Sequence, residues 1–503
     1  MSTSVPAESG LLTEARLASG PAEVFVRIAQ GPGLRHEMDH FDAFLAVDLA
    51  HTVMLVERSI LTGAQGAAIL GVLRDIRARG RGGLDADPQR GSFLLQVEAE
   101  LARRLGEDVG GRMHTGRSRI DQGATVRRLH TRCGVLPAMA RLLGLRAAVL
   151  ALAGRHRRTL MPGYTHMQHA QPWILGHYLH SMAVRLDEDF HRLVESYARL
   201  NLSPLGAVGL AGTSWPIDRD RTAALLGFSG LVENSRLARE AWYAADVVAA
   251  LSFVMATLND IATDFHVWSS WEFGLVETDD AFCGTSSIFP QKKNPSALEA
   301  IKKESGAATQ WLAQAMTTFR GEGSGDQAIR ELSMLDDAVA STDGMLELAT
   351  ALVDTLIVHE ARMREVASGN WSTASNLADA LVRDAGLSYR QSHHVVARLV
   401  RLCLQRKLPP QRAGAAELDE AGRQTIGRAL GLSDAAVQEA LDADAFVRTR
   451  VTRGSLAPAE IDRMLAEAAA ELEADRGWLR AEEARIAAAA KALDEAVDRV
   501  IAS

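Results

Sequence analysis

An all-α chain organised around a long helix bundle is predicted by three observations. Apolar residues recur at three- and four-residue steps over long stretches, near 122–155, 172–200, 236–270, 294–320 and 334–367. Proline is scarce, 14 in 503 residues, and the alanine-rich sequence favours helix throughout. No run alternates apolar and polar residues as a half-buried strand does, and no short-period repeat is present.

The elements follow in order. Residues 1–35 are mixed and glycine-containing and read as a poorly ordered or strapping arm. From His40 onward Phe41, Phe44, Leu45, Leu49, Val53, Leu55 and Val56 mark one helix face, and Gln65–Ala78 repeats the pattern. Arg79–Gly83 interrupts it, and Gln96–Leu105 is a further helix closed near Gly110 and Gly111. The five long segments form the bundle, and the punctuation falls in its connections: Met161–Tyr164, Ser203–Gly206, residues 280–296 and Gly321–Gly325. A third helical region runs from Trp371 to Gly431, and Pro458–Ile501 is an amphipathic Ala/Glu/Arg-rich segment, either one long helix or a hairpin. The chain thus divides into an N-terminal helical domain with a flexible arm (1–121), a central bundle domain (122–370) and a C-terminal helical domain (371–503).

Composition excludes several function classes. A formal net charge of −8 argues against a general nucleic-acid surface, so basic clusters read as local anion sites. Cys133, Cys283 and Cys403 are odd in number and far apart, which disfavours a disulfide framework or a cysteine zinc site and fits a reducing, cytoplasmic setting. The N-terminus lacks the basic start and apolar core of a signal peptide. The most apolar run, Ala244–Leu258, carries Asp246 and closes on Asn259 and Asp260, so it reads as a buried bundle helix and no segment as a membrane span.

Three polar stretches place reactive side chains where apolar periodicity stops. Gly111–Gln122 (Gly-Arg-Met-His-Thr-Gly-Arg-Ser-Arg-Ile-Asp-Gln) gathers His114, Thr115, Ser118 and Arg119 before a helix. A helix N-terminus favours an anion, and Arg119 can hold a carboxylate bidentately; alone, the stretch is also a plain helix-capping loop. Met161–Pro172 reads as a turn leading into a helix that presents Thr165, His166, Gln168 and His169, with His166 a candidate acid or base near neutral pH. His166, His169, His177 and His180 also admit a metal reading, which lacks partnering cysteines or carboxylates; no metal and no cofactor are expected. Cys283–Ser296 (Cys-Gly-Thr-Ser-Ser-Ile-Phe-Pro-Gln-Lys-Lys-Asn-Pro-Ser) reads as a mobile, exposed catalytic loop, or as a solvated one. In it Ser286 or Ser287 is the reacting hydroxyl, Lys292 supplies positive charge and Asn294 a directed amide. Glu299, on the helix that follows, can face back into the site, where a carboxylate bonded to one nitrogen of His166 would fix its tautomer.

These stretches, with Asn201–Gly206, Ala211–Arg219, Trp268–Gly274 and Ala440–Val447, resemble argininosuccinate lyase of the fumarase/aspartase superfamily over about residues 40 to 465. The loop and the longer C-terminal helix are also similar to ethylenediamine-disuccinate lyase. The resemblance implies a three-domain fumarase/aspartase-type fold, a homotetramer with active sites shared among subunits, and fumarate release from an N-succinyl amine. By the same resemblance Ser286 is the base, Lys292 and Asn294 face the developing carboxylate charge with Ser118, Arg119 and Thr165, and His166 paired with Glu299 is the acid side. His114 and Gln168 belong to the substrate-binding set.

Two departures bear on substrate. The family motif continues Ser-Arg-Asn-Asp, whereas this chain has Ser118-Arg119-Ile120-Asp121, and isoleucine has no donor for a carboxylate. At Phe319–Gln327 the tyrosine and glutamine that grip the arginine portion in argininosuccinate lyases have no clear counterpart. Argininosuccinate is the expected substrate, another N-substituted aspartate the alternative, and a low-activity tetrameric scaffold a third reading.

Overall fold

The computed structural model describes residues 20–319 and 333–503. Residues 1–19 of the expected arm, the Gly321–Gly325 connection and the departure beyond Phe319 lie outside them. The rest of the arm is helical: Glu23–Phe25 and Val26–Gln30 run into α1 (Gly31–Asp39). Pro32 reads as a breaker but sits in the first turn of α1, where a missing N–H costs little. Helices α2 (Phe41–Glu57), α3 (Gly63–Arg79) and α4 (Phe93–Leu105) follow as their periodicity predicts, and Thr62 caps α3 with a reciprocal bond from Gln65. Their apolar faces close one core around Leu45, Leu49, Leu70 and Phe93.

The bundle is built on α5 (Arg119–Arg155), which at 1.5 Å per residue is about 55 Å long. It packs against α6 (Leu175–Leu200) and α10 (Ser333–Thr355), with α7 (Trp242–Trp268) between α6 and α10. The segment expected over 294–320 divides at Thr309 and Gln310 into α8 (Ser296–Ala308) and α9 (Trp311–Phe319). The one expected over 334–367 stops at Thr355, because Ile357–Val358 leaves the helix to pair with Val276–Glu277 before α11 (Glu360–Ser368). On length and hydropathy alone α5 and α7 are each apolar enough to cross a membrane, but a buried core helix passes the same test, and their most apolar windows are 61% buried within the bundle.

Strands are present where none was expected. The largest pair is a hairpin, β1 (Leu160–Thr165) with β2 (Gln168–Ile174), in place of the expected turn into a helix. A two-stranded ribbon has edges that tolerate Pro162 and Pro172, and α6 starts only after it, at Leu175.

Short helices between Ala374 and Arg448 enclose a separate core around Leu377, Leu399 and Leu418. Pro458–Ala502 is one helix of 45 residues, about 68 Å, which settles the choice against a hairpin. Leu472 and Leu479 enter the bundle core, and Leu493, Ala496, Val497 and Val500 enter the N-terminal one. The C-terminal helix therefore ties the two cores together.

Candidate active site

The first polar stretch is held rigid from beneath. The Asp48 carboxylate on α2 accepts from Arg117 Nη1 at 2.6 Å and from Gln122 Nε2 at 2.6 Å, and both members of the ion pair are fully buried. Burial pushes the Asp48 carboxyl up while Arg117 pulls it down, so each charge depends on its partner. His51 donates through Nε2 to the Thr115 carbonyl at 2.9 Å, and burial, reinforced by Arg117, keeps its imidazole neutral. Gly116 has φ of +75°, and a Cβ there would lie 2.8 Å from Ile217 Cγ2, so the turn admits only glycine.

Above this base Ser118 caps α5, its Oγ accepting from Ile120 N at 3.2 Å, while Asp121 accepts from Ser118 N at 2.7 Å. The capping reading of the loop is thus realised. It leaves Arg119 exposed beside the helix N-terminus, where an anion is favoured. Asp121 also receives the amides of Gly206 and Val208, which fastens Asn201–Gly206 to the same place. His114 is held by Glu98, Nδ1 to Oε1 at 2.7 Å, and keeps its other ring edge partly exposed.

The second stretch is the tip of the hairpin. Thr165 pairs with Gln168, and the two residues between them, His166 and Met167, have φ of 55° and 57°. Two consecutive left-handed residues make a tight hairpin turn that ordinarily takes asparagine and glycine. A histidine and a methionine there store strain, and Thr165, His166, Met167 and Gln168 are all exposed. Burial lowers the basicity of His169 at the root of the tip.

The third stretch is a loop between two short strands, Gly284–Thr285 and Lys293–Asn294. Ser286 Oγ accepts from the amides of Ile288 at 3.3 Å and Phe289 at 3.0 Å, whereas Ser287 is exposed. Two N–H dipoles aimed at one hydroxyl oxygen favour negative charge on it. Lys292, Asn294 and Glu299 line a cavity of about 1040 Å³ with His266, Ser270 and Arg362. The neighbouring Lys293 is bound by Asp280 at 2.6 Å and Glu277 at 2.7 Å, which outweigh its partial burial and hold its ammonium strongly protonated. Lys292 has no ion-pair partner among the described residues, so of the two lysines it is the one left to meet an anion. Glu299 lies in the first turn of α8, where the helix dipole favours a carboxylate.

One chain does not bring these groups together. Among the described residues no hydrogen bond joins His166 to Glu299, and the cavity lined by Lys292, Asn294 and Glu299 is lined by none of Ser286, His166, Thr165, Ser118 and Arg119. Arg119 instead borders a second cavity of about 110 Å³. Sequence reasoning passed over His266, His359 and Arg362 in the larger cavity. His359 sits 3.5 Å from Glu277, but a histidine on helical sequence carries no signal of such a neighbour.

The fold and these loops define a class of helical lyases. A lyase family model matches residues 42–309 and an argininosuccinate lyase C-terminal model residues 371–448. The chain is 34% identical over 496 residues to argininosuccinate lyase of Methanosarcina acetivorans, covering 97% of this chain and 99% of that protein. It is 33% identical over 467 residues to argininosuccinate lyase 1 of Shouchella clausii, covering 92% and 93%. Among solved structures it superposes on EDDS lyase in complex with formate with a TM-score of 0.86 at 34% identity, covering 96% of this chain and 97% of that one. The chain belongs to the argininosuccinate lyase family of the fumarase/aspartase superfamily, and is a carbon–nitrogen lyase.

Proposed function

We propose that the enzyme releases fumarate from an N-succinyl amine by β-elimination, with argininosuccinate as substrate and arginine as the leaving amine. The observation that carries the chemistry is Ser286, whose Oγ sits under two backbone amides on the loop that carries Lys292 and Asn294. A free serine hydroxyl is far too weak a base for a carbon acid, and the amides stabilise its alkoxide. Ser286 takes the proton from the carbon beside a carboxylate, the electron pair passes toward that carboxylate, and Lys292 and Asn294 stabilise the doubly charged intermediate. The carbon–nitrogen bond then breaks as the new double bond forms. His166, oriented by Glu299, returns a proton to the departing nitrogen directly or through water. Ser118, Arg119, Thr165, Gln168 and His114 hold the substrate's carboxylates.

The separation of the three loops on one chain supports sites assembled from several subunits of a cytoplasmic homotetramer. Exposed Phe253, Leu312 and Met316 on the bundle helices support it too, since a second bundle would cover them. Ile120 favours a second reading in which the amine is not arginine, and EDDS lyase is a relative with that kind of name.

Fumarate absorbance tests both. Purified protein is mixed with argininosuccinate, or with fumarate and a panel of amines; absence of signal with every amine would overturn the lyase reading. Ser286→Ala should lower kcat by at least about a hundredfold without altering the assembly seen by size-exclusion chromatography. Unchanged turnover would remove Ser286 from the mechanism.

A further inference from the structure

Where the N-terminal segment meets the bundle, three histidines converge on one carboxylate. His36 lies on α1 and His40 one turn later at its C-cap, His130 comes from α5 and Asp336 from the first turn of α10. The three histidines all use the same ring atom: Nε2 of His36 and His40 lie 3.9 and 3.4 Å from Asp336 Oδ2, and Nε2 of His130 lies 3.7 Å from Oδ1. The rings are in contact, His36 edge-on to His40 with centroids 4.6 Å apart and His40 tilted against His130 with centroids 4.0 Å apart.

The spacing is informative. Ordinary N–H···O bonds span about 2.7–3.2 Å, and all three contacts are longer. Around a tetrahedral ion with bonds of about 2.0–2.1 Å, neighbouring donor atoms lie about 3.3–3.5 Å apart. The donor atoms of His36, His40 and Asp336 lie within 4.8 Å of one another, and His130, which reaches the other carboxylate oxygen, would have to turn inward to join them. His40 and His36 are 4% and 16% exposed, so packing has already reduced the rotamer freedom that binding would otherwise remove. A second grouping, Asp187, His191 and Asp475, does not compare, because Arg146 reaches both carboxylates at 2.6–2.7 Å and supplies their positive charge.

We propose that His36, His40, His130 and Asp336 bind one divalent transition-metal ion, of the class that prefers imidazole: Zn²⁺, Co²⁺ or Ni²⁺. Three nitrogens and one carboxylate suit these ions and disfavour Mg²⁺ and Ca²⁺, which take oxygen ligands. The elimination proposed above needs no metal step. The ion's effect is structural: it joins α1, α5 and α10, and so locks the N-terminal core onto the bundle. His36 and His40 also border the 110 Å³ cavity lined by Arg119 and Arg127.

The test uses untagged, chelator-treated full-length protein. Co²⁺ titration followed by visible absorption should saturate at about one ion per chain with the strong bands of a four-coordinate site. Zn²⁺ should displace the Co²⁺, Mg²⁺ should not, and Zn²⁺ should raise the Tm in a concentration-dependent way. Asp336→Asn and the half-exposed His130→Gln, each checked for folding by circular dichroism, should weaken Co²⁺ binding at least tenfold, while His393→Gln leaves it unchanged. Absence of saturable Co²⁺ binding by the wild type would overturn the proposal, as would binding that survives intact in a folded Asp336→Asn or His130→Gln protein. If one variant fails to fold, the other and the wild-type stoichiometry still decide.

Discussion

A single residue, Ile120, separates the chemistry of this chain from its substrate. Its N–H is spent on the Ser118 cap, and its half-buried side chain stands next to Arg119 with nothing to donate. Ile120→Asn keeps the cap, because that bond is made by the backbone, and adds a donor where a carboxylate meets the helix N-terminus. A hydrogen bond to a charged group is worth about 1–3 kcal/mol, so kcat/KM for argininosuccinate should rise roughly five- to a hundredfold. The fumarate assay reads it directly, and an unchanged or lower value would mean that the present site is already fitted to what it binds. Ser286 marks what could be read at this scale and what could not. Its serine pair and lysine were visible as residue types, but the two amides that distinguish Ser286 from Ser287 come from the backbone fold of Ile288 and Phe289.

At the scale of elements, the helices were legible because their periodicity is long and regular, and the β1–β2 hairpin was not, because its turn breaks local preference. Asn-Gly at the tip would have announced a hairpin; His166-Met167 announces nothing, since neither residue favours positive φ. That mismatch has a measurable consequence. A left-handed non-glycine residue costs about 1–2 kcal/mol, partly offset by the greater unfolded-state freedom of glycine, so Met167→Gly should stabilise the protein by about 0.5–1 kcal/mol. Denaturant unfolding with an unchanged m-value would show it. Turnover should fall in the same variant, because the strained turn is what holds His166 outward, and a tip relaxed by glycine holds it less firmly. A stabilised variant with undiminished turnover would show that the strain serves no positioning role. The Asp48–Arg117 pair was hidden for another reason: a charged residue inside an apolar stripe gives no sign of its partner, here 69 residues away.

The whole molecule sets the remaining limit on what sequence could reveal. Long-range convergence, such as Asp336 meeting His40 from 296 positions away, or the C-terminal helix running back into two cores, depends on topology that periodicity does not encode. The same is true of the candidate site, whose loops are recognisable in sequence although Lys292 and Arg119 border different cavities of one chain and His166 borders neither. If the loops meet only across subunits, two inactive proteins should repair one another. Ser286→Ala chains carry an intact His166 tip, and His166→Ala chains an intact serine loop. In a random one-to-one mixture each site draws the two elements from different chains, and about a quarter of sites receive both intact. Co-expressed or denatured and co-refolded variants should therefore regain about a quarter of wild-type turnover, while each alone and the two folded proteins mixed without exchange stay near zero. Full absence of recovery, in assemblies shown by mass spectrometry to contain both variants, would place Ser286 and His166 in the same subunit's site and require loop movements within one chain to bring them together.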